Sequence, residues 1–351
     1  MKIRESVRNF NPYSPGTVDA EIRMDKNESP FSLPGELKHK IRTELENITV
    51  NRYPPSSGDR LREKLAEFHG LKKANVIVGS GSDQLISYSA GVFAGEYAVV
   101  TPPTFSMYRF YAKLNGLGVE PVPLAENFNL RMEELEEVLN KAAVVFLCSP
   151  NNPTGNVFDR GKLIKILETG VPVVLDEAYG EFADGSNMDL IESYGNLLVL
   201  RTFSKAFGLA GARVGYALGQ AGTVEHLLRV KPPYNLNSFS LRIAELLLEN
   251  YDLIRDRVNF LIDQREKLYS KFKHYSYSSK TNFLLMDLDA DDYLLERGIA
   301  VRSFTGRLAE HIRVTVGTEE ENDRFIRALR SYIHSTPESK KRVDHFKGDD
   351  Q

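Results

Sequence analysis

The feature that most constrains this chain is a recurrent alternation of short apolar runs with amphipathic stretches. Residues 97–101, 143–148, 171–175, 196–200 and 213–218 read as strands, while stretches such as 132–139 and 161–168 between them repeat their apolar residues at helical spacing. The runs are continuous and lack the in-and-out alternation of a half-exposed strand, so they belong to strands covered on both faces. The pattern therefore predicts an α/β domain with a mainly parallel sheet and a ligand site beyond the carboxyl ends of its strands. Asn152, Asp176 and Lys205 each follow such a run.

The remainder organises around that domain. Residues 1–33 have little periodicity and form an N-terminal arm. Helices are expected after Pro34, with Leu37, Ile41 and Leu45 in step, and over 58–68, with Leu61, Leu65 and Phe68. A long charged helix over 239–272, broken once, links the large domain (34–260) to a smaller α/β or α+β domain (261–333) that the N-terminal segment joins. In the smaller domain, strands at 282–288, 299–302 and 312–316 alternate with helices near 291–296 and 319–333. Residues 334–351 are a charged tail poor in apolar residues. The 45 basic and 48 acidic residues leave a net charge of −3, which argues against nucleic acid or a membrane surface as partner. No segment is apolar enough to span a bilayer, the first residues lack a signal-peptide core, and a cytoplasmic protein is expected. A single cysteine, Cys148, excludes a disulfide frame and a cysteine-rich metal site, and no metal is expected; Cys148 itself reads as a small core residue.

The chemistry concentrates in four stretches. Lys205 stands between Thr202, Ser204 and Arg213, so it reads either as a solvated loop lysine or as an amine that condenses with a carbonyl. Asp176 ends the run Val173-Val174-Leu175, either as a helix cap or as a buried counter-charge, with Tyr179 three residues on. The strand Val76-Ile77-Val78 leads into Gly79-Ser80-Gly81-Ser82-Asp83, where the backbone amides of Gly81, Ser82 and Asp83 would meet an anion at a helix N-terminus. This turn lacks both the Gly-Lys-Ser/Thr ending of a nucleotide loop and the third glycine of a dinucleotide fingerprint. Phe105 offers a ring face. Together these groups match the needs of pyridoxal phosphate: a lysine for its aldehyde, a carboxylate (Asp176) for its ring nitrogen, donors (Tyr179 and Asn152) for its ring oxygen, and amides, hydroxyls (Thr202, Ser204) and Arg213 for its phosphate.

Ser149-Pro150-Asn151-Asn152-Pro153-Thr154-Gly155, Asp176-Glu177-Ala178-Tyr179 and the run from Ser204-Lys205-Ala206-Phe207-Gly208 to Arg213 resemble, in order and spacing, the signature of the fold-type I, aspartate-aminotransferase-like pyridoxal phosphate enzymes. Asn11-Pro12-Tyr13, Lys26-Asn27-Glu28-Ser29-Pro30, Arg52-Tyr53-Pro54, Pro233-Tyr234-Asn235-Leu236-Asn237 and Ile312-Arg313-Val314 narrow the resemblance to histidinol-phosphate aminotransferases. It covers about residues 10 to 333. The resemblance implies a seven-stranded sheet and exchange of an amino group between glutamate or 2-oxoglutarate and histidinol phosphate or its ketone. It also implies a homodimer with shared active sites, in which Tyr53 reaches the phosphate of the other subunit's cofactor. Arg313 would then hold a substrate carboxylate, and Tyr13, Asn27 and Arg302 would lie near the substrate. Phe105 stands where many relatives carry tyrosine, so stacking survives without a phenol. An aromatic amino acid aminotransferase, a phosphothreonine-type decarboxylase and a pyridoxal-phosphate-binding regulator remain open on the residues alone.

Overall fold

The computed structural model of the protein describes residues 2–3, 5–8, 10 and 18–335. It begins with α1 (Glu5–Arg8), β1 (Ile22–Met24), α2 (Gly35–Glu46), α3 (Asp59–His69), β2 (Val76–Ser80), α4 (Gly81–Val92) and β3 (Tyr97–Val100). Next come α5 (Met107–Leu114), β4 (Gly118–Pro121), α6 (Met132–Leu139), β5 (Ala142–Cys148), α7 (Arg160–Glu168), β6 (Val173–Asp176), β7 (Leu197–Thr202) and β8 (Val214–Gly219). Helices α8 (Ala221–Val230), α9 (Ser238–Glu249) and α10 (Tyr251–Lys271) lead to β9 (Phe283–Met286), α11 (Asp291–Leu295), β10 (Ile299–Ser303), β11 (Ile312–Thr315) and α12 (Glu319–Ser335).

Seven strands form one sheet in the order β2-β8-β7-β6-β5-β3-β4. Every residue of β5, β7 and β8 is buried, which is why these strands read as unbroken apolar runs. Their side chains divide between the two faces. Val144, Phe146, Val174, Leu198 and Leu200 pack under α4, α5 and α8, whereas Val145, Leu147, Val173, Leu175 and Val199 belong to the larger core on the other face. The sheet is parallel from β7 through β6, β5 and β3 to β4, and β8 runs antiparallel to both β7 and β2. Cys148 lies opposite Asp176, and Asp176 opposite Leu200, so the carboxyl ends of β5, β6 and β7 are level.

A second sheet has the order β1-β10-β11-β9; β1 pairs with β10 in parallel, and the other two pairs are antiparallel. Thus the segment 22–24 near the N-terminus completes a sheet otherwise made of strands after residue 282. The expected long helix is indeed interrupted, at Asn250, whose φ of −125° is not helical. Its side-chain amide donates to the Leu246 carbonyl at 2.7 Å, which satisfies the end of α9 before α10 begins. α10 runs through the expected boundary at residue 260. Residues 336–351, most of the expected tail, lie outside the described residues.

Candidate active site

A cavity of about 550 Å³ opens at the carboxyl ends of β5, β6 and β7 and is walled on the far side by β10 and β11. The sequence-expected residues Asn27, Ser82, Asp83, Phe105, Asn152, Asp176, Tyr179, Thr202, Ser204, Lys205, Arg213, Arg302 and Arg313 all line it. Gly81 adjoins it at the start of α4. Tyr53 does not line it: its ring is 82% exposed and stacks on Tyr234, with centroids 4.6 Å apart. Tyr13 falls outside the described residues.

The lysine sits in a turn that the chain holds tightly. Phe203 and Phe207 are buried, the amide of Leu209 donates to the Phe203 carbonyl at 2.8 Å, and that of Ser204 donates to Thr202 Oγ1 at 3.1 Å. Lys205 Nζ donates to the Lys26 carbonyl at 3.0 Å. Burial first, and the Arg313 guanidinium second, bring its amine down to about 8. A nucleophilic amine needs its lone pair, and this environment frees it far nearer neutrality than for an ordinary lysine.

Asp176 is buried, 3% exposed, at the end of β6. Its carboxylate accepts from the Ala178 amide at 3.0 Å and from the Tyr108 hydroxyl at 2.7 Å. Even with these bonds, burial holds its carboxyl up at about 6. An anion kept dry at such cost suits a cationic partner, and the ring nitrogen of a protonated pyridine is one. Tyr108 was missed by sequence reasoning. The signal lay in its place three residues after Phe105, on the face of α5 turned to the sheet; its ring lies flat on Phe146, 5.2 Å away, and edge-on to Phe105.

The donors are oriented as well. Asn27 Nδ2 donates to the Tyr179 hydroxyl at 2.8 Å, which leaves the phenol proton to donate elsewhere, and burial pushes that phenol well above its ordinary value. Asn152 Oδ1 accepts from Arg313 Nη1 at 2.6 Å, so its N–H groups are the ones left for another partner. Arg313 Nη2 also donates to the Asp25 carbonyl at 2.6 Å. Arg302 lies directly opposite Arg313 in the β10–β11 pair.

At the other end of the cavity, α4 begins without a side-chain cap from Ser80. Gly81 has φ +74°, and a Cβ there would lie 2.6 Å from Arg213 Nη2. Gly215 faces the same turn, and a Cβ on it would lie 2.3 Å from the Ser82 nitrogen. Backbone therefore approaches backbone where an anion would meet helix amides, and Arg213, with φ +52°, reaches over them to Asp83 Oδ2 at 2.7 Å. An amine, a buried carboxylate, an aromatic face, two oriented donors and a phosphate cradle thus line one cavity, and this set fits pyridoxal phosphate. Among the described residues, no group of three or more His, Cys, Asp or Glu is arranged to hold a metal ion, and no helix is long and apolar enough to cross a membrane.

Fold and cavity together define a fold-type I pyridoxal-phosphate-dependent transferase. The family model for class I and II aminotransferases matches residues 20–329. The histidinol-phosphate aminotransferase of Pyrococcus furiosus is 49% identical over 331 residues, covering 94% of this chain and 98% of that protein. That of Thermococcus kodakarensis is 47% identical, with the same coverage of both. The crystal structure of histidinol-phosphate aminotransferase from Sinorhizobium meliloti in complex with pyridoxal-5'-phosphate superposes with a TM-score of 0.85 at 25% identity, covering 95% of this chain and 98% of that one. The chain belongs to the class I and II aminotransferases and, within them, to the histidinol-phosphate aminotransferase family.

Proposed function

We propose that the protein moves an amino group between L-glutamate and imidazole acetol phosphate, giving 2-oxoglutarate and histidinol phosphate in two half-reactions at one site. The observation that carries this reading is the facing pair Arg302 and Arg313. Two cations on opposed strand positions repel one another, and a substrate with anionic groups relieves that repulsion. Glutamate brings two carboxylates, one for Arg313 and one for Arg302; histidinol phosphate brings its phosphate to the second position and has no carboxylate for the first. The names of the relatives support the same substrate pair.

Pyridoxal phosphate, when bound, supplies an aldehyde and a ring that withdraws electrons from the substrate Cα. The chain's own residues do the rest. Lys205 Nζ would take the proton from the substrate Cα as a base and deliver it as an acid to the carbon that carried the aldehyde. Asp176 would ion-pair with the ring nitrogen, Tyr179 and Asn152 would donate to the ring oxygen, and Phe105 would offer its ring as a stacking face. The amides of Gly81, Ser82 and Asp83, with Thr202, Ser204 and Arg213, would hold the phosphate. The exposed Tyr53, which does not line its own chain's cavity, is read as serving the other subunit of a homodimer. We assign residues 34–260 to a cofactor-holding domain and residues 261–333, with β1, to a smaller one, the two sharing α10, which spans the boundary. A cytoplasmic location is consistent with a chain whose single cysteine demands no oxidising compartment.

Half-reaction absorbance tests the substrate. Histidinol phosphate and glutamate are expected to convert the bound cofactor to its amine form; a much more efficient conversion by phenylalanine or tyrosine would overturn the assignment.

A further inference from the structure

Behind the cavity lies a buried ionic cluster that the reaction as described does not use. Arg201, 6% exposed, directs Nη2 to Glu177 Oε2 at 2.8 Å and Nη1 to Glu181 Oε1 at 3.0 Å. Glu177 also accepts from Ser186 Oγ at 2.6 Å and from the Asn187 amide at 2.9 Å. On the neighbouring strand, Tyr216 lies opposite Arg201 and its hydroxyl meets His69 Nε2 at 2.9 Å. Gly180 makes the approach possible, because a Cβ there would lie 2.5 Å from Arg201 Nη1.

Such a cluster is weak evidence for stability as such, since apolar residues of equal volume often fold as well. Its connectivity is more informative. Glu177 directly follows Asp176, Glu181 is two residues beyond Tyr179, and Arg201 directly precedes Thr202 in the segment that ends at Lys205. The Glu177 amide donates to the Leu200 carbonyl at 2.9 Å, so the ion pairs start where the β6–β7 ladder ends. The carboxylate and hydroxyl of the site come from one segment and its amine from another, and the guanidinium ties these two segments together just past the end of the β6–β7 ladder, while β7 stays paired with β8 through Thr202.

We infer that Arg201 is a positioning residue: its bidentate clamp on Glu177 and Glu181 fixes the segment bearing Asp176 and Tyr179 relative to the segment bearing Lys205. A planar fork with two directed bonds suits this task, and an ammonium at the same place does not. This rests on Lys205 being the amine that meets the cofactor.

The test compares Arg201→Lys and Glu181→Gln with Leu329→Ala, a core truncation in α12 remote from the site, at matched loss of melting temperature. The readouts are kcat, KM and the pH midpoint of the bound cofactor's absorbance. Arg201→Lys should lower kcat about tenfold, with both KM values within about twofold, because misplaced reacting groups lose rate before they lose binding. It should also move the absorbance midpoint by about half a unit or more as the surroundings of Lys205 change. Leu329→Ala should do neither. A folded Arg201→Lys with unchanged midpoint and kcat overturns the inference, as does an equal effect of Leu329→Ala. Should Arg201→Lys not fold, Glu181→Gln carries the test: a loss of about threefold in kcat with a moved midpoint supports the clamp, and no change in either refutes it. A wild-type protein without a pH-dependent cofactor band would overturn the underlying reading as well, whereas a normal wild-type band with inert clamp variants overturns this inference alone.

Discussion

Asp176→Asn separates the cost of burying a carboxylate from the use made of it. Burial raises the Asp176 carboxyl from 3.8 to about 6. At 1.36 kcal/mol per pKa unit, the ionised group therefore destabilises the cofactor-free fold by about 3 kcal/mol at pH 7. The sign follows from the raised value: the penalty is fully present above about pH 6, fades as the folded protein takes up a proton, and vanishes below pH 4, where the unfolded chain is protonated too. Asparagine keeps the shape, can still accept from the Ala178 amide, and can offer its N–H groups to the Tyr108 oxygen. The variant without cofactor should gain about 3 kcal/mol at pH 7, or about 4 °C in melting temperature for a chain of this size, and should match the wild type at pH 4. Its turnover should fall by about 10²-fold or more because the ring nitrogen loses its counter-charge. Thermal melts of cofactor-free protein across pH 4–8 measure the gap. A variant no more stable than wild type at pH 7, or a gap that persists at pH 4, would show that the carboxylate is not held at a cost.

Lys205→Ala should remove turnover by about 10³-fold or more together with the absorbance of the lysine-bound cofactor, and full activity would refute the assigned role. Because the Lys205 amine lies at about 8, the rate at which cofactor-free protein captures pyridoxal phosphate should rise with pH and level off above that value; stopped-flow traces that keep climbing to pH 10 would contradict it. Arg302→Gln should raise KM for histidinol phosphate by about 10-fold or more, the worth of one charge-assisted bond, while the melting temperature of the cofactor-free protein holds or rises as the repulsion with Arg313 is lost. Mixing inactive Lys205→Ala with Tyr53→Ala subunits should restore about a quarter of the sites to full cofactor affinity if Tyr53 serves the opposite subunit, and none if it serves its own.

The fold was legible where burial on both faces wrote it into composition. β3, β5, β6, β7 and β8 fall within two residues of the runs that announced them, because each is short, apolar and bounded by turn residues. β4 was not seen: it is the edge strand, half exposed, with Glu120 and Pro121 among its four residues. β1 is three residues long and exists only through its pairing with Ile299, Ala300 and Val301, which no local pattern encodes. Nor does hydrophobicity carry strand direction, so the antiparallel insertion of β8 was hidden in a run that looked like its neighbours. Asn152, Asp176 and Lys205 stood out because each lies at or just past the carboxyl end of a strand, where an apolar run gives way to polar side chains, whereas Arg302 and Arg313 lie within β10 and β11 and were marked only by the family resemblance. Tyr108 and Arg201 did not stand out, since a tyrosine within a helix reads as packing and an arginine after Leu200 reads as a surface charge. Their roles rest on partners 68 residues away for Tyr108 and 20 residues away for Arg201.

The residues around the cavity break local rules in ways that converge. Asn27 and Arg213 hold left-handed backbone, each at a cost of about 1 kcal/mol or more. Arg302 and Arg313 oppose like charges, and Asp176 is anionic against its burial. None of these helps the chain to fold. A phosphate at the start of α4 meets the amides there, a cationic ring nitrogen answers Asp176, and anionic substrate groups answer the opposed arginines. The costs lie at separate points on the cavity wall, and ligands of this one description relieve the electrostatic ones together. Binding should therefore raise stability in steps, first with pyridoxal phosphate and then with a dicarboxylate, in proportion to the logarithm of each ligand's concentration over its Kd.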